Sequence, residues 1–400
     1  MIQPLQGVKV ISFTHFLQGP SAVQILADLG ADVIKIEPPG GAYERTWSGM
    51  NAYRNGVSIF FLLANRNQRS ISVDLKNEEG KEIVRRLVRE ADVIVENYRP
   101  GVLDKLGFGY EALKQINEKL IYCSCTGYGS DGPYRDKPGQ DLLLQSMSGL
   151  AWLTAKKDGP PISAGTAVVD QHAAVLGAMG VLAALHERNR TGFGVKVDSN
   201  LFNAAIDLQI ESFSYHINGF HLWESFDSGM STKFHQSPYG SYRTKDGYIT
   251  VSVNPIEKLR AAFGDEHFEG MTKEDQFTQR ERFDRIFSDL MKTKTNAEWF
   301  EIFEKCDIWH SPVQNYDEVE QDPQVKWNRV IEEIDHPTGG AMRVINHPVR
   351  YNGEPPRIWK APPAFAEHTF EVLKECGYTD EEIESLIASR AVVSKTDTNE

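Results

Sequence analysis

Asp170 is the residue in this sequence best placed for covalent chemistry. It stands where a segment predicted to be extended, 162–169, meets a long alanine-rich helix predicted at 171–190. An aspartate in that position is usually a helix N-cap, whose carboxylate accepts hydrogen bonds from the amides of the first turn. A carboxylate held at a partly desolvated helix start can also attack a carbonyl carbon, and helix N–H groups can stabilise the charge that develops. The two roles are compatible, and both stay open.

Basic side chains recur at or near the ends of predicted strands, which is where open α/β sheets bind their ligands. This pattern favours an anionic, phosphate-bearing ligand, although any one of these residues alone would be an ordinary surface charge. Tyr98 could stack on an adenine ring, and His15 follows the first strand at the same edge. The basic residues concerned are Arg66, Arg69, Lys76, Arg99, Lys105, Arg135 and Lys137.

A glycine motif of the G-x-G-x-x-G type runs from Gly127 to Gly132, directly after a predicted strand. A dinucleotide site requires a helix to begin inside this motif, so that its N–H groups meet the pyrophosphate. Here a proline-flanked loop, 133–139, follows instead. A nicotinamide cofactor is therefore not predicted.

Composition excludes several other classes of function. The 43 basic and 56 acidic side chains give a formal charge of −13, which disfavours nucleic acid and anionic membranes as partners. The eleven histidines show no metal-ligand spacing, so no metal is predicted. Four scattered cysteines and an N-terminus without a basic signal region predict a reducing, cytoplasmic location.

Strands and helices alternate along the first half of the chain, which predicts an α/β fold with a doubly wound parallel sheet. The helix at 171–190 is apolar nearly all round and is expected to lie deep inside the protein. The predicted strands are 8–13, 32–37, 70–75, 93–96 and 120–126, and the other predicted helices are 21–29, 78–90, 370–376 and 380–389.

The pattern changes after about Asn218, where a hairpin is predicted from strands 237–242 and 248–253 around an Asp-Gly turn. We expect a large Rossmann-like domain formed by residues 1–220 and 326–400. A smaller α+β domain is expected at 221–325, and a disordered tail at 394–400.

Several segments together resemble the class III CoA-transferases, the family that contains formyl-CoA transferase, carnitine CoA-transferase and α-methylacyl-CoA racemase. The match spans nearly the whole chain and is densest in the first 200 residues. The segments that carry it are PLQGVKVI at 4–11, LGADVIKIEPPG at 29–40, DVIVENYRPG at 92–101 and GYG at 127–129, with further short matches toward the C-terminus.

This resemblance implies a large domain built from both chain ends and an interlocked homodimer. It implies that Asp170 is the nucleophile and that acyl-CoA is a substrate, with no permanently bound cofactor. The implied reaction moves CoA from a thioester to a free carboxylate through an aspartyl anhydride and an aspartyl-CoA thioester. The implied CoA contacts are His15, Gln18, Val73, Lys76, Asn97, Tyr98, Arg99, Lys105, Lys137 and Gln140.

Two other functions fit parts of the pattern. The racemase branch of the family carries histidine next to the aspartate at the segment corresponding to 138–141, where this chain has Gln140. A non-catalytic CoA-binding protein would keep the basic contacts without using Asp170. Formyl-CoA transferase has glutamine where this chain has Leu17, which argues against formate and oxalate as substrates. Residues proposed to line the acyl pocket are Trp223, Phe226, Phe234, His235 and Tyr239.

Overall fold

The computed structural model describes residues 2–224, 226 and 229–394. Its strands are β1 Lys9–Phe13, β2 Asp32–Glu37, β3 Tyr53–Arg54, β4 Val57–Ser58, β5 Gln68–Val73, β6 Val93–Glu96, β7 Ile121–Thr126, β8 Lys196–Asn200, β9 Gly240–Arg243, β10 Tyr248–Val251, β11 His310–Pro312, β12 Ile331–His336, β13 Gly340–Ile345 and β14 Val392–Val393.

Helices connect most of these strands, in the alternation that the sequence predicts. They are α1 Gln18–Asp28, α2 Ile59–Leu62, α3 Glu78–Glu90, α4 Val102–Leu106, α5 Tyr110–Ile116, α6 Asp141–Met147, α7 Leu150–Thr154, α8 Val168–Thr191, α9 Leu201–Asp207, α10 Ile210–Ile217, α11 Ile256–Phe263, α12 Asp275–Thr278, α13 Arg280–Met291, α14 Asn296–Lys305, α15 Tyr316–Gln321, α16 Pro323–Trp327, α17 Thr369–Glu375 and α18 Asp380–Ala388.

A seven-stranded sheet in the order β14-β5-β2-β1-β6-β7-β8 organises the first half of the chain. Six strands are parallel, and β14 pairs antiparallel with β5 through Val392 and Val73. Because parallel strands are covered on both faces, strands β5, β6 and β7 are buried at every residue and show no alternation between buried and exposed positions. The prediction of an α/β fold with a mostly parallel sheet is confirmed.

The two faces of the sheet pack against different helices. One face, which carries Ile11 and Ile94, packs under α3, α17 and α18, with Ile83 among the buried helix residues. The opposite face, which carries Val10 and Val95, packs under α1 and α8. The N-terminus of helix α3 is capped by Asn77, whose side chain accepts a hydrogen bond from the Glu79 N–H at 2.9 Å.

The chain divides into two compact units. The first unit comprises Met1–Leu144, Thr166–Leu208 and Pro323–Glu400, and the second comprises Gln145–Gly165 and Gln209–Asp322. The sequence analysis placed 145–165 and 209–220 in the large domain and 323–325 in the small one. Within the second unit, Gln145 Oε1 accepts the Ala164 N–H at 2.8 Å, and Gln209 Nε2 donates to the Ser148 carbonyl at 3.3 Å. The second of these bonds holds the segment 145–165 to Gln209, a contact between distant residues that no local sequence pattern signals.

The predicted hairpin of the second unit is confirmed, with shifted bounds. Strands β9 and β10 pair antiparallel through Arg243 and Tyr248, and β11 extends the sheet beside β10. A cluster of phenylalanines and Trp299 fills the core beneath this sheet. The predicted tail at 394–400 lies, apart from Ser394, outside the described residues.

Two expectations about the segment around α8 are wrong. The segment 162–169 was expected to be extended up to Val169, but the helix already begins at Val168. The helix is also not buried all round, because Val175 and Met179 are 52% and 58% exposed. Among the described residues it is the one helix long and apolar enough to cross a membrane. Its other face packs into the sheet core, so we interpret α8 as a core helix with one uncovered apolar side.

Candidate active site

The sheet changes direction between β1 and β6. The chain runs from β1 through β2 to β5 on one side, then returns to β6 and continues through β7 to β8 on the other side. In open α/β sheets the crevice at such a switch point, at the carboxyl ends of the strands, is the usual ligand site. His15 follows β1 and Asn97 follows β6, so both flank this crevice.

Asn97 clamps the turn that carries His15. Its Oδ1 accepts the His15 N–H at 2.8 Å, and its Nδ2 donates to the His15 carbonyl at 2.8 Å. The rings of His15 and Tyr98 lie 5.2 Å apart, centroid to centroid. Burial lowers the pKa of His15, so its imidazole is neutral at pH 7. The edge therefore presents two flat, uncharged rings.

Gln18 begins α1 immediately beyond this turn. Its side chain is buried, and its Nε2 has no hydrogen-bond partner among the described residues. The next residue must be glycine, because a Cβ on Gly19 would lie 2.8 Å from the Asn97 side-chain carbon Cγ. The close approach of α1 to Asn97 thus places an unused amide donor beside the crevice.

A buried lysine supports the first turn from below. Lys35 Nζ donates to the Thr14 carbonyl at 2.7 Å and lies 3.3 Å from Glu44 Oε1. Both side chains are fully buried. A buried charge pair is tolerated only when hydrogen bonds satisfy it, and here one of those bonds holds the backbone that precedes His15.

The carboxylate at the end of β6 was not singled out by the sequence analysis. Glu96 accepts hydrogen bonds from the Ser124 hydroxyl and, at 2.9 Å, from the Tyr98 N–H. Burial raises the pKa of Glu96 to about 7. Glu96 follows the buried run 93–95 and looks like an ordinary strand end in the sequence, so only the fold identifies it as the anchor of Tyr98.

The loop after β7 lies against the segment that precedes α6. Gly127 and Gly139 pass so close that a Cβ on either would lie within 2.7 Å of the other's Cα. No helix begins within the G-x-G-x-x-G motif, since 127–140 is turn and loop and α6 starts at Asp141. The motif is therefore a backbone crossing, as the sequence analysis expected, and not a pyrophosphate cradle.

The remaining predicted CoA contacts lie at neighbouring strand ends. Lys76, Arg99, Lys105, Lys137 and Gln140 are exposed, while the Val73 side chain is buried in the core, so only its main chain could meet a ligand. These residues follow β5, β6 and β7, which lie within a run of five adjacent strands spaced about 4.8 Å apart. Direct contacts are seen within the group of His15, Asn97 and Tyr98.

Asp170 is not the N-cap of its helix. The helix begins two residues earlier, with Ala167 in the cap position, and Asp141 supplies the capping carboxylate. Asp141 Oδ2 accepts the N–H of Val169 at 2.7 Å and that of Asp170 at 2.9 Å. The capping role considered for Asp170 is therefore wrong. No local pattern reveals the cap, because Asp141 is 29 residues away in the sequence.

The Asp170 carboxylate is half-buried and accepts no hydrogen bond from any residue that the structure describes. Burial and, second, the negative charge of Asp141 raise the pKa of Asp170 to about 7. A carboxylate that is poorly solvated and poorly hydrogen-bonded is a stronger nucleophile than one in water.

The start of α8 lies beside the start of α1. Gln171 Nε2 donates to Ser21 Oγ at 3.3 Å, and Ser21 is in the first turn of α1, after Gln18. Asp170 therefore belongs to the same sheet edge as Gln18, His15 and Asn97. His172 faces elsewhere, since its Nε2 lies 2.7 Å from Asp207 Oδ2 on α9.

No group of three or more potential metal ligands occurs among the residues described. The predicted absence of a metal remains a prediction.

The match to known proteins agrees with this fold. A family description, CoA-transferase family III, matches residues 5–369. The chain belongs to this family, whose members transfer CoA and use CoA thioesters as substrates.

Individual relatives cover nearly the entire chain. Succinyl-CoA:glutarate CoA-transferase from Homo sapiens is 33% identical over 100% of this chain and 92% of its own. Formyl-CoA:oxalate CoA-transferase from Rhodopseudomonas palustris (strain BisA53) is 30% identical over 98% of both chains. The crystal structure of a CAIB/BAIF family protein from Brucella suis aligns with a TM-score of 0.81 at 30% identity, covering 94% of this chain and 100% of that one.

Proposed function

We propose that this enzyme transfers CoA from an acyl-CoA thioester to a free carboxylate, with Asp170 as the nucleophile. The observation that supports the role of Asp170 is that two carboxylates take different roles at the start of α8. Asp141 satisfies the N–H groups of Val169 and Asp170, while the Asp170 carboxylate accepts no hydrogen bond from the described residues.

The proposed reaction has four exchanges at three carbonyl carbons, those of the donor acyl group, the Asp170 carboxyl group and the acceptor acid. An Asp170 oxygen attacks the carbonyl carbon of the donor thioester, and the C–S bond breaks. CoA leaves as its thiolate, and the donor acyl group remains on Asp170 as an acyl-aspartyl anhydride. The thiolate attacks the aspartyl carbonyl and releases the donor acid, which leaves an aspartyl-CoA thioester. The acceptor carboxylate attacks the aspartyl-CoA thioester and expels the CoA thiolate, which leaves an anhydride between the acceptor and Asp170. The thiolate then attacks the acceptor carbonyl of this anhydride, forms the new acyl-CoA and releases the Asp170 carboxylate. One thioester replaces another, so ATP is not required.

The developing oxyanion needs a hydrogen-bond donor. The sequence analysis expected helix N–H groups to serve, but those of Val169 and Asp170 already donate to Asp141. We assign this role to Gln18, whose buried Nε2 lacks a partner among the described residues. Loss of one such donor typically costs about 10²–10³ in kcat. Replacing Gln18 with leucine is expected to lower kcat to this extent.

The names of the relatives suggest the substrates to test first. Succinyl-CoA and glutarate, or formyl-CoA and oxalate, appear in those names. Leu17 stands where formyl-CoA transferase has glutamine, which favours the first pair. We propose a dicarboxylic acyl-CoA such as succinyl-CoA as donor, to be compared with other acyl-CoA donors against a panel of carboxylic acids.

Covalent trapping tests the role of Asp170 directly. The enzyme is incubated with succinyl-CoA and quenched with hydroxylamine, and the peptide that contains Asp170 is examined by mass spectrometry for the hydroxamate. Asp170→Ala is expected to lose the adduct and the activity. Asp207→Ala, which changes an exposed aspartate of α9, is expected to retain both. Full turnover by Asp170→Ala would refute the proposal.

We further propose that the enzyme is a homodimer in the cytoplasm. The support for a second copy is the uncovered side of α8, with Val175 and Met179, continued by Phe193, which is 59% exposed. The support for a reducing compartment is the four free cysteines. Two of them, Cys123 and Cys125, have sulfur atoms 3.9 Å apart but form no disulfide bond.

A further inference from the structure

The second unit contains a cavity of about 910 Å³ at the start of α13. This volume is within the range of about 300–1,000 Å³ that is usual for small-molecule pockets. Three aromatic rings, those of Trp223, Phe226 and Phe277, form part of its wall, and Arg280 and Arg282 contribute the positive charge. The sequence analysis named Trp223 and Phe226 as pocket residues but did not identify the arginines.

Arg280 is held rigidly in this wall. Its guanidinium carbon lies 4.3 Å from the centroid of the Trp223 ring and 5.3 Å from that of Phe226. Its Nε donates to the His235 carbonyl at 2.7 Å, and its Nη2 donates to the Thr232 carbonyl at 3.0 Å. The residue is only 4% exposed, and its Nη1 has no partner among the described residues.

The cavity wall also carries two carboxylates, Glu224 and Glu281, but these pair with Lys157 at 3.0 Å and with Arg285. Within the described part of the chain, neither forms an ion pair with Arg280 or Arg282. No carboxylate there lies within 4.0 Å of the Arg280 or Arg282 guanidinium, and Arg282 donates to the neutral Gln279 side chain at 3.0 Å. Asp284 influences Arg280 from a distance, but its Oδ1 accepts hydrogen bonds from the Tyr242 hydroxyl at 2.6 Å and the Ser237 hydroxyl at 3.1 Å.

Burial lowers the pKa of Arg280 to about 10, which leaves it cationic at neutral pH. Burying a cation that has an unused hydrogen-bond donor costs free energy unless an anion binds to it. The aromatic walls exclude a ligand that is polar on every side, such as inorganic phosphate.

We propose that this cavity binds a carboxylic acid with a flat apolar body. The carboxylate accepts hydrogen bonds from Arg280 Nη1, Arg282 adds charge at the mouth, and the apolar body lies against Trp223 and Phe277. The site does not involve Asp170, so its failure and the failure of the proposed transferase mechanism are distinguishable by separate measurements.

A local spectroscopic probe tests this site. The protein is labelled with 5-fluorotryptophan, the resonance of Trp223 is assigned with Trp223→Phe, and phenylacetate is compared with its neutral amide, phenylacetamide. We expect phenylacetate to shift the Trp223 resonance with an affinity at least tenfold higher than that of the amide. We expect the same result in Asp170→Ala.

Variants separate the pocket from general effects. Arg280→Met is expected to weaken phenylacetate binding more than tenfold. Because Arg280 also ties two backbone carbonyls, Arg282→Gln and Phe277→Ala, at exposed side chains, provide tests that leave the fold intact, each with an expected loss of threefold or more. Arg243→Gln, an exposed arginine elsewhere in the second unit, is the matched control. Equal affinities for acid and amide, or unchanged affinity in Arg282→Gln and Phe277→Ala, would overturn the proposal.

Discussion

Asp141 caps the helix that carries Asp170, and the two carboxylates thereby take different roles at one helix start. Asp141 Oδ2 receives the N–H groups of Val169 and Asp170 at 2.7 and 2.9 Å. Burial and, second, the negative charge of Asp141 disfavour ionisation of Asp170 and raise its pKa to about 7. The arrangement separates a structural carboxylate from a reactive one.

The activity is expected to depend on pH through Asp170. The nucleophile must be ionised, so kcat/KM should rise about tenfold per pH unit below about pH 7 and level off above it. The measurement is the pH profile of kcat/KM with a fixed donor and acceptor. A profile that is flat between pH 5 and pH 8 would contradict the assignment.

Asp141→Asn provides the control for this profile. The amide oxygen can still accept a helix N–H, but the negative charge that raises the pKa of Asp170 is gone. We expect the inflection of the profile to move to lower pH, while the melting temperature changes little. Asp141→Ala removes the cap as well and is expected to destabilise the protein by about 0.5–2 kcal/mol.

Replacing Asp170 by asparagine should stabilise the protein in a pH-dependent way. The folded pKa, about 7, lies above the ordinary value of 3.8, so this group binds a proton on folding at intermediate pH. Its contribution to stability is fully present below about pH 4 and is lost as pH rises through 7. Asp170→Asn has no proton to lose at this position. Its free energy of unfolding should therefore exceed that of the wild type by an amount that grows from pH 4 to pH 7 and reaches on the order of 1–3 kcal/mol at pH 8. Urea unfolding at pH 4.5 and pH 8 measures it, and an equal difference at both would contradict it.

Much of the fold follows from local patterns in the sequence. Strands β1, β2 and β6 are rich in Val and Ile, and α3 has both an asparagine cap and an amphipathic face, so their predicted bounds differ from the observed ones by one residue at most. The crevice at β1 and β6 then follows from strand order.

What the sequence could not provide depends on contacts between distant residues. Asp141 and Asp170 are joined by hydrogen bonds across 29 positions, and Asn97 reaches His15 across 82. The composition of α8 predicts burial on all sides, but a single chain covers only one of them. Arg280 reads as one charge in a charged helix until its aromatic neighbours are in place.

The clamp on His15 should affect acyl-CoA binding more than the chemical step. Asn97→Ala removes two hydrogen bonds to the His15 backbone, each worth about 0.5–1.5 kcal/mol, and is expected to raise the KM for acyl-CoA about tenfold. Gly19→Ala should do the same, because its Cβ would displace the Asn97 side chain. The two effects should not add in the double variant, since both act on Asn97. Unchanged KM values in both single variants would show that the clamp is not part of the ligand site.

The uncovered side of α8 predicts a dimer that a single charged substitution should dissociate. Met179 is 58% exposed and Val175, one turn earlier, is 52% exposed, so a second copy covering them would bury apolar surface worth about 25 cal/mol per Å². Light scattering coupled to size exclusion should give twice the 45.0 kDa of one chain. Met179→Glu should shift the mass toward the monomer in a concentration-dependent way, because a buried glutamate without a partner is costly. Met179→Leu, which keeps the apolar surface, should remain dimeric. A wild-type protein that is monomeric at micromolar concentration would rule the dimer out.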